Sequence, residues 1–352
     1  VAEDKKVGSP KTARGVWGAL AAGLLAVSMS ARAPDPQVLH RQAVVVDLHN
    51  DFLLDAHSGR RDITRRSAVG HSDIPRLREG GVDVQVCALF VHPRDADRGY
   101  ETVTALLDTA HRLAAAQPDL VGVATSVEEI DRLVAAGRLA WVLAVENASA
   151  LGGDPDRVDA LFRRGVRMMS LTWNASNGLA DGALESRHGG LTSLGRRVLE
   201  RMQAVGMVVD VSHLSERSFW DVLAATRGPV VASHSNAAGR VPHPRNLTDD
   251  QLRAIARRGG VVGVNFYPAF TGGPTRDRVV EQIDYLVRLL GPDHVALGSD
   301  FDGFTDVVAG LEDVTRLPEL TADLLACGHS PEVVRKILGD NALRVFRQVW
   351  GR

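Results

Sequence analysis

The sequence predicts an α/β protein folded as a (β/α)8 barrel of the TIM type, with a metal site at the C-terminal ends of its strands. Three observations carry this. Eight short apolar runs alternate with helical segments, no long polar linker separates them, and histidines and carboxylates recur where the runs end. An open doubly wound sheet has the same alternation and is the main rival, because periodicity alone does not close a barrel.

The chain is organised around Val44-Val45-Val46-Asp47-Leu48-His49-Asn50-Asp51, a β-branched run suited to a strand buried on both faces. Side chains alternate along a strand, so His49 and Asp51 are expected on one side at its C-terminal end. An imidazole beside a carboxylate reads either as half of a divalent-metal site, most often zinc, or as a buried histidine bonded to a neighbouring aspartate. Residues 72–81 read as a turn and short helix before the second run, 82–91. A helix spans 100–116. Ser126 and Glu129 form a capping box for a helix that stops at Gly137, and the third run is 139–145. Asp154-Pro155 opens a helix ending near Gly165, ahead of the fourth run, 166–171. Helices at 192–206 and 215–227 lead into the fifth and sixth runs, 207–211 and 229–232. Thr248 and Gln251 cap a helix that ends at Gly259-Gly260 before the seventh run, 261–266, and a helix at 275–290 leads into the eighth, 294–298. Two closing helices follow, the second opening at Ser330-Pro331, a good N-cap and N1 pair. A further short run, 120–124, is placed outside the barrel.

The 352 residues suffice for a sizeable core, and no composition break divides residues 36–352, which are read as a single metallohydrolase domain. A net charge of −2 with both signs interspersed gives no basic stripe and so no case for nucleic acid. Only Cys87 and Cys327 are present, too few for a disulfide framework or a cysteine-rich zinc site, and Cys87 lies inside an apolar run. Residues 1–35 differ from the rest. Lys5, Lys6 and Arg14 precede an uncharged stretch, 15–29, and Ala31-Arg32-Ala33 offers small residues at a cleavage position. At about 15 residues the stretch is short for a membrane span. An export signal cleaved near Ala33 is the first reading and an uncleaved anchor the second, which makes the protein periplasmic or extracellular, or tethered to a membrane through this segment alone.

Titratable residues at the run ends decide the function. The first run ends in His49 and Asp51, the third in Glu146, the fifth reaches His213, the sixth His234 and the eighth Asp300. A barrel gathers those ends at one mouth, where catalytic groups of this fold sit. Each residue alone has an ordinary explanation: Glu146 facing solvent, His213 capping a loop, His234 bonded to backbone. Three histidines with two or three carboxylates exceed the needs of one tetrahedral ion, so two ions sharing a carboxylate fit better. Glu146 is the natural bridge because its strand lies between the other contributors.

His49-x-Asp51, Ala144-Val145-Glu146, Asp210-Val211-Ser212-His213, Ala232-Ser233-His234-Ser235-Asn236, Gly298-Ser299-Asp300-Phe301-Asp302-Gly303 and the late Gly339-Asp340-Asn341 resemble the membrane (renal) dipeptidase family of the amidohydrolase superfamily, as does Ser72-Asp73-Ile74-Pro75-Arg76. The resemblance covers about residues 40–348. It implies a barrel holding two Zn2+ ions that hydrolyses dipeptides, with His49 and Asp51 on the first ion, His213 and His234 on the second, Glu146 on both, and Asp300 handling the proton. Two zinc ions sharing a water lower its pKa, supply a bridging hydroxide near pH 7 and polarise the scissile carbonyl. Asp300 then passes a proton to the leaving amine. Asp302 and Asp47 are read as structural or supporting.

A dipeptide carries a terminal carboxylate, which an arginine fork binds well. Arg245, preceding Asn246, matches the family's substrate arginine better than Arg240 does. Tyr267, at the end of the seventh run, is a pocket candidate. Trp173 stands where the animal dipeptidases carry a substrate-binding histidine, which suggests a more aromatic pocket wall. The remaining histidines read as surface or packing residues, with His188 a weaker pocket candidate. Homodimers are common in such barrels, an expectation resting on the resemblance alone. Two other readings compete: an amidohydrolase acting on cyclic amides or lactams, and a non-catalytic metal-binding barrel.

Overall fold

The β-branched runs become strands, and a computed structural model describes them within residues 35–187 and 189–351. The N-terminal segment and His188 lie outside the described residues. Nine parallel strands form: β1 (Val46–Asn50), β2 (Val84–Phe90), β3 (Val121–Val123), β4 (Leu139–Glu146), β5 (Val166–Ser170), β6 (Val208–Asp210), β7 (Val231–Ala232), β8 (Val261–Val264) and β9 (Val295–Leu297). Their order is β2-β1-β9-β8-β7-β6-β5-β4-β3, and the added β2–β4 pairing closes eight of them into a ring. This is the (β/α)8 barrel, not the open sheet. β3 pairs only with β4 and lies outside the ring, as expected for 120–124.

Pleating divides each strand between two cores. Val84, Val86, Ala140 and Val142 belong to the barrel interior, whereas Cys87, Leu89, Trp141 and Leu143 pack under the surrounding helices. The interior is filled from below by α14 (Asn341–Trp350), whose Leu343, Phe346 and Val349 join the same cluster. Gly263 and Gly298 are glycines for a steric reason. A Cβ at either position would stand 2.1 and 1.8 Å from the Ser233 carbonyl oxygen, so β7, β8 and β9 meet only without side chains there.

The helices follow the sequence signals, with corrections. α7 (Ser193–Val205) is capped by the Thr192 hydroxyl, which accepts from the Gly195 amide at 3.0 Å, and ends at Gly206 with φ 75°. Thr248 and Gln251 form the complete capping box of α9 (Asp249–Arg257). The box expected at Ser126 is half formed: Ser126 accepts from the Glu129 amide, but the Glu129 carboxylate bonds instead to the amide and hydroxyl of Thr125. α2 (Phe52–Ser58), directly after β1, was not anticipated because it is short and lacks a side-chain cap. The chain closes, as expected, through two helices: α12 (Leu317–Ala326), then a continuous helix opening at Ser330-Pro331 in which a π-helical turn (Lys336–Asp340) joins α13 (Pro331–Arg335) to α14. Among the described residues no helix is long and apolar enough to cross a membrane.

Candidate metal centre

All six run-end residues converge on the C-terminal mouth. Glu146 is the last residue of β4, and His213, His234 and Asp300 lie two or three residues beyond β6, β7 and β9. Two of these positions differ from simple strand alternation. The interior set of β1 is Val46 and Leu48, so alternation would turn His49 outward; the pairing of β1 with β2 slips between Asp47 and Asn50, and this bulge re-aims His49 into the mouth. Asp51 lies past the strand, as the N-cap residue of α2. His213 and Asp300 hold positive φ, 69° and 62°.

The donor atoms are close. His49 Nε2 stands 3.4 Å from Asp51 Oδ2, 3.6 Å from Glu146 Oε2 and 3.9 Å from Asp300 Oδ1. Glu146 Oε1 is 2.8 Å from His213 Nε2 and 3.8 Å from His234 Nε2. Two overlapping triads result, His49–Glu146–His234 and His49–Asp51–Asp300. Glu146 thus reaches both sides of the cluster, one oxygen toward each.

Hydrogen bonds behind the histidines fix what faces forward. The Asn174 side-chain oxygen lies 2.8 Å from His213 Nδ1 and accepts its proton, leaving Nε2 with a bare lone pair. Ser233 Oγ donates to Asp210 Oδ2 at 2.5 Å, so at 2.7 Å it accepts from His234 Nδ1, and His234 Nε2 is bare as well. These two lone pairs face each other across 2.8 Å. Both ring nitrogens of His49 are buried without any hydrogen-bond partner. Lone pairs converging in a buried site repel unless a cation lies among them, and imidazole nitrogen with carboxylate oxygen is the donor set of zinc and its neighbours. The residues therefore fit a divalent metal.

Electrostatics agree. Burial drives the imidazoles down, His213 to about 3 and His234 well below its usual range, so both are neutral, the form in which an imidazole can hold a metal. Burial disfavours the charged forms of Glu146 and His49, but their mutual attraction outweighs it: Glu146 is held below the usual carboxylate range and His49 well above the usual imidazole range. Asp300 is pushed up to about 7, first by burial, with Asp51 and Glu146 adding repulsion and His49 opposing it. Three carboxylates, Asp51, Glu146 and Asp300, crowd around the one imidazole of His49, and a cation would supply the further positive charge.

Above the cluster opens a cavity of about 450 Å³, lined by Arg245, Trp173 and Tyr267 together with the cluster residues Asp51, Glu146 and Asp300. Arg245 is buried, with one Nη2 3.5 Å from the His234 carbonyl oxygen and its guanidinium 5.5 Å from the Phe270 ring centre. Burial lowers its pKa to about 10, which leaves it protonated at neutral pH. Among the described residues no carboxylate forms an ion pair with it. Arg240, by contrast, is paired with Glu281 on the surface.

The family model described as membrane dipeptidase (peptidase family M19) matches residues 35–350. The chain belongs to the membrane dipeptidase family. Dipeptidase ataJ of Aspergillus terreus is 34% identical over an alignment covering 87% of this chain and 84% of that protein. Two solved structures superpose closely. The probable dipeptidase PvdM of Pseudomonas aeruginosa has a TM-score of 0.84 at 25% identity, covering 90% of this chain and 98% of its own. A Rhodobacter sphaeroides metallopeptidase liganded with a phosphinate mimic of L-Ala-D-Ala has a TM-score of 0.82 at 29% identity, covering 88% of this chain and 99% of its own. As a member of this family the chain is a metallo-dipeptidase, a hydrolase of peptide bonds.

The remaining sequence candidates of this dipeptidase are placed as follows. Asp47 accepts from the Ser299 amide and hydroxyl and from Gln85, tying β1 to β9 and β2, a structural role. Asp302, read as structural or supporting, sits in a left-handed turn at φ 66°. It accepts from the amides of His71 and Ser72, from the Ser72 hydroxyl and from Arg61, and so ties the β9 loop to residues 61–72. Sequence reasoning missed the positioning residues Asn174, Ser233 and Asn265. Asn265 donates to Asp300 Oδ2 at 2.8 Å. It follows the last residue of β8, so the run-end rule would have found it had amides been counted beside titratable groups.

Proposed function

We propose that this metallo-dipeptidase uses two Zn2+ ions, one at His49 and Asp51 and one at His213 and His234, with Glu146 shared, to cleave the peptide bond of small dipeptides. The observation that carries the reading is the convergence of the His213 and His234 Nε2 lone pairs and of the His49 ring, whose nitrogens have no hydrogen-bond partner, on a carboxylate whose two oxygens reach opposite halves of the cluster. When bound, such a pair of ions supplies a water acidified toward neutrality and polarises the scissile carbonyl.

The chain's own residues do the rest. Arg245 lies in the cavity as a protonated fork that forms no ion pair with a carboxylate among the described residues, and it binds the free C-terminal carboxylate of the substrate. Asn265 fixes one oxygen of Asp300, leaving the other beside His49 and at the cavity wall. That free oxygen takes the proton of the attacking water and gives it to the leaving nitrogen as the C–N bond breaks. Burial of Arg245 among Phe270 and the cluster favours a charged, compact substrate over an uncharged cyclic amide.

Zinc stoichiometry on the full chain, combined with a dipeptide hydrolysis screen, tests this. Two ions per chain with cleavage is the expected result; a zinc-loaded protein inert toward the panel would overturn it in favour of a binding barrel. Export rests on the pattern of residues 1–33 and is tested separately, by fractionation and N-terminal sequencing of the mature protein.

A further inference from the structure

We infer that Trp173 and Phe90 form the subsite for the substrate's N-terminal side chain and make this dipeptidase prefer large apolar or aromatic residues there. This rests on the reading of Arg245 as the carboxylate anchor.

The ring of strands runs β1-β2-β4-β5-β6-β7-β8-β9, so β2 and β7 lie four strands apart, on opposite sides of an eight-stranded mouth. Arg245 follows β7 and hangs over it, its guanidinium within reach of the His234 carbonyl. Phe90 ends β2, paired in register with Glu146 of β4. Trp173, three residues past β5, leans across that same sector: its ring centre is 5.4 Å from Phe90, 5.8 Å from His92 and 6.2 Å from His213. Leu54 of α2 lines the same cavity. A dipeptide pinned by its carboxylate on the β7 side, with its scissile bond over the ligand cluster, directs its first residue away from Arg245 and onto this wall. The side chain of the second residue stays beside Arg245, near Phe270 and Tyr267.

The wall offers the apolar area of two aromatic rings and Leu54 beside the charged cluster. Transferring a large apolar side chain from water onto two aromatic rings is favourable, and a glycine there gains nothing. Hydrophobic pockets discriminate by about 10–200-fold per group gained or lost.

The experiment compares kcat/KM of the zinc-loaded full chain for the series X-Gly and Gly-X, with X = Gly, Leu or Phe. Leu-Gly and Phe-Gly are expected to exceed Gly-Gly by about tenfold or more, with a flatter Gly-X series. Trp173→Ala should cut the X-Gly preference about tenfold, mainly through KM, while Trp173→Phe keeps most of it. Phe90→Ala should act in the same direction and decides the matter if Trp173→Ala does not fold. A flat X-Gly series in an enzyme that does cleave dipeptides overturns this inference alone. So does a Trp173→Ala effect confined to Gly-X, which would place the wall on the C-terminal side. An enzyme inert toward both series overturns the dipeptidase reading and this inference with it.

Discussion

Asn174 is the sharpest test of how the centre is held together. Its side-chain oxygen accepts the Nδ1 proton of His213 at 2.8 Å, the bond that leaves Nε2 free to bind. Asn174→Leu removes the acceptor without adding a competing donor. The loss has two parts. A buried hydrogen bond is worth roughly 0.5–1.5 kcal/mol, and an imidazole freed to place its proton on Nε2 must move it back before ligating. Together these amount to about 1.4–2.8 kcal/mol, a 10–100-fold weaker metal affinity, in line with the usual effect of removing such a supporting bond. The loss should be local. Only the half of the centre holding His213 is touched, because His49 and Asp51 lie on the far side of Glu146. Zinc titration against a chromophoric chelator should therefore show one site weakened and one nearly unchanged, so that the two separate in the curve. Asn174→Asp keeps an acceptor and should hold both sites tight. Equal weakening of both sites, or no change in either with Asn174→Leu, would refute the account of Glu146 as a divider between two halves.

Three further outcomes follow from the same geometry. Asp300→Asn should lower kcat by about 10²–10⁴ with metal content retained, measured by single-turnover hydrolysis alongside metal analysis; loss of metal in parallel would show Asp300 to be a ligand first. Arg245→Ala should raise KM for a dipeptide by about tenfold or more and erase its advantage over the corresponding dipeptide amide, read from paired kinetics. Asp83 governs a stability effect away from the site: burial raises its carboxyl pKa from 3.8 to about 6, although the Val45 amide donates to it at 2.8 Å. A carboxyl that holds its proton more tightly when folded stabilises fully below the unfolded value and loses that contribution as pH rises through about 6. Asp83→Asn keeps the acceptor and should gain on the parent protein by about 1–2 kcal/mol between pH 4.5 and 7.5, after discounting for partial exposure, in urea melts; a pH-independent difference would contradict this.

Much of the architecture was legible because it rests on composition at fixed periods. The runs at 82–91 and 139–145 are apolar on both faces, which is what a barrel strand needs when α14 fills one side and helices cover the other. Their alternation carries through to Phe90 and Glu146, so the direction of Glu146 follows from counting. His49 resisted the same counting. The slip between Asp47 and Asn50 is a property of how β1 sits against β2, not of β1's own residues, and no pattern within 44–51 reports it. α2 escaped for a related reason: seven residues without a side-chain cap carry no local signal, and the helix forms because Phe52 and Leu53 are buried by their surroundings.

The positive-φ residues explain why the site was readable as a set of letters but not as a shape. Among the described residues four non-glycine positions have positive φ, Asn147, His213, Asp300 and Asp302, and all four lie at the mouth. Such a backbone costs an L-residue roughly 1–3 kcal/mol and persists only where the surroundings impose it. Each is imposed by bonds to distant segments. Asn147 donates to the Val91 carbonyl and accepts from Asn177, and Asp302 is tied to residues 61–72. His213 is held by Asn174 and Asp300 by Asn265. Glycine would relieve the backbone at any of these positions and would remove the atom that the turn exists to present. The strain is thus the mark of a side chain whose direction matters more than its backbone's comfort. It belongs to tertiary structure, which is why a run-end rule found His213 and Asp300 and could not foresee the turns that aim them.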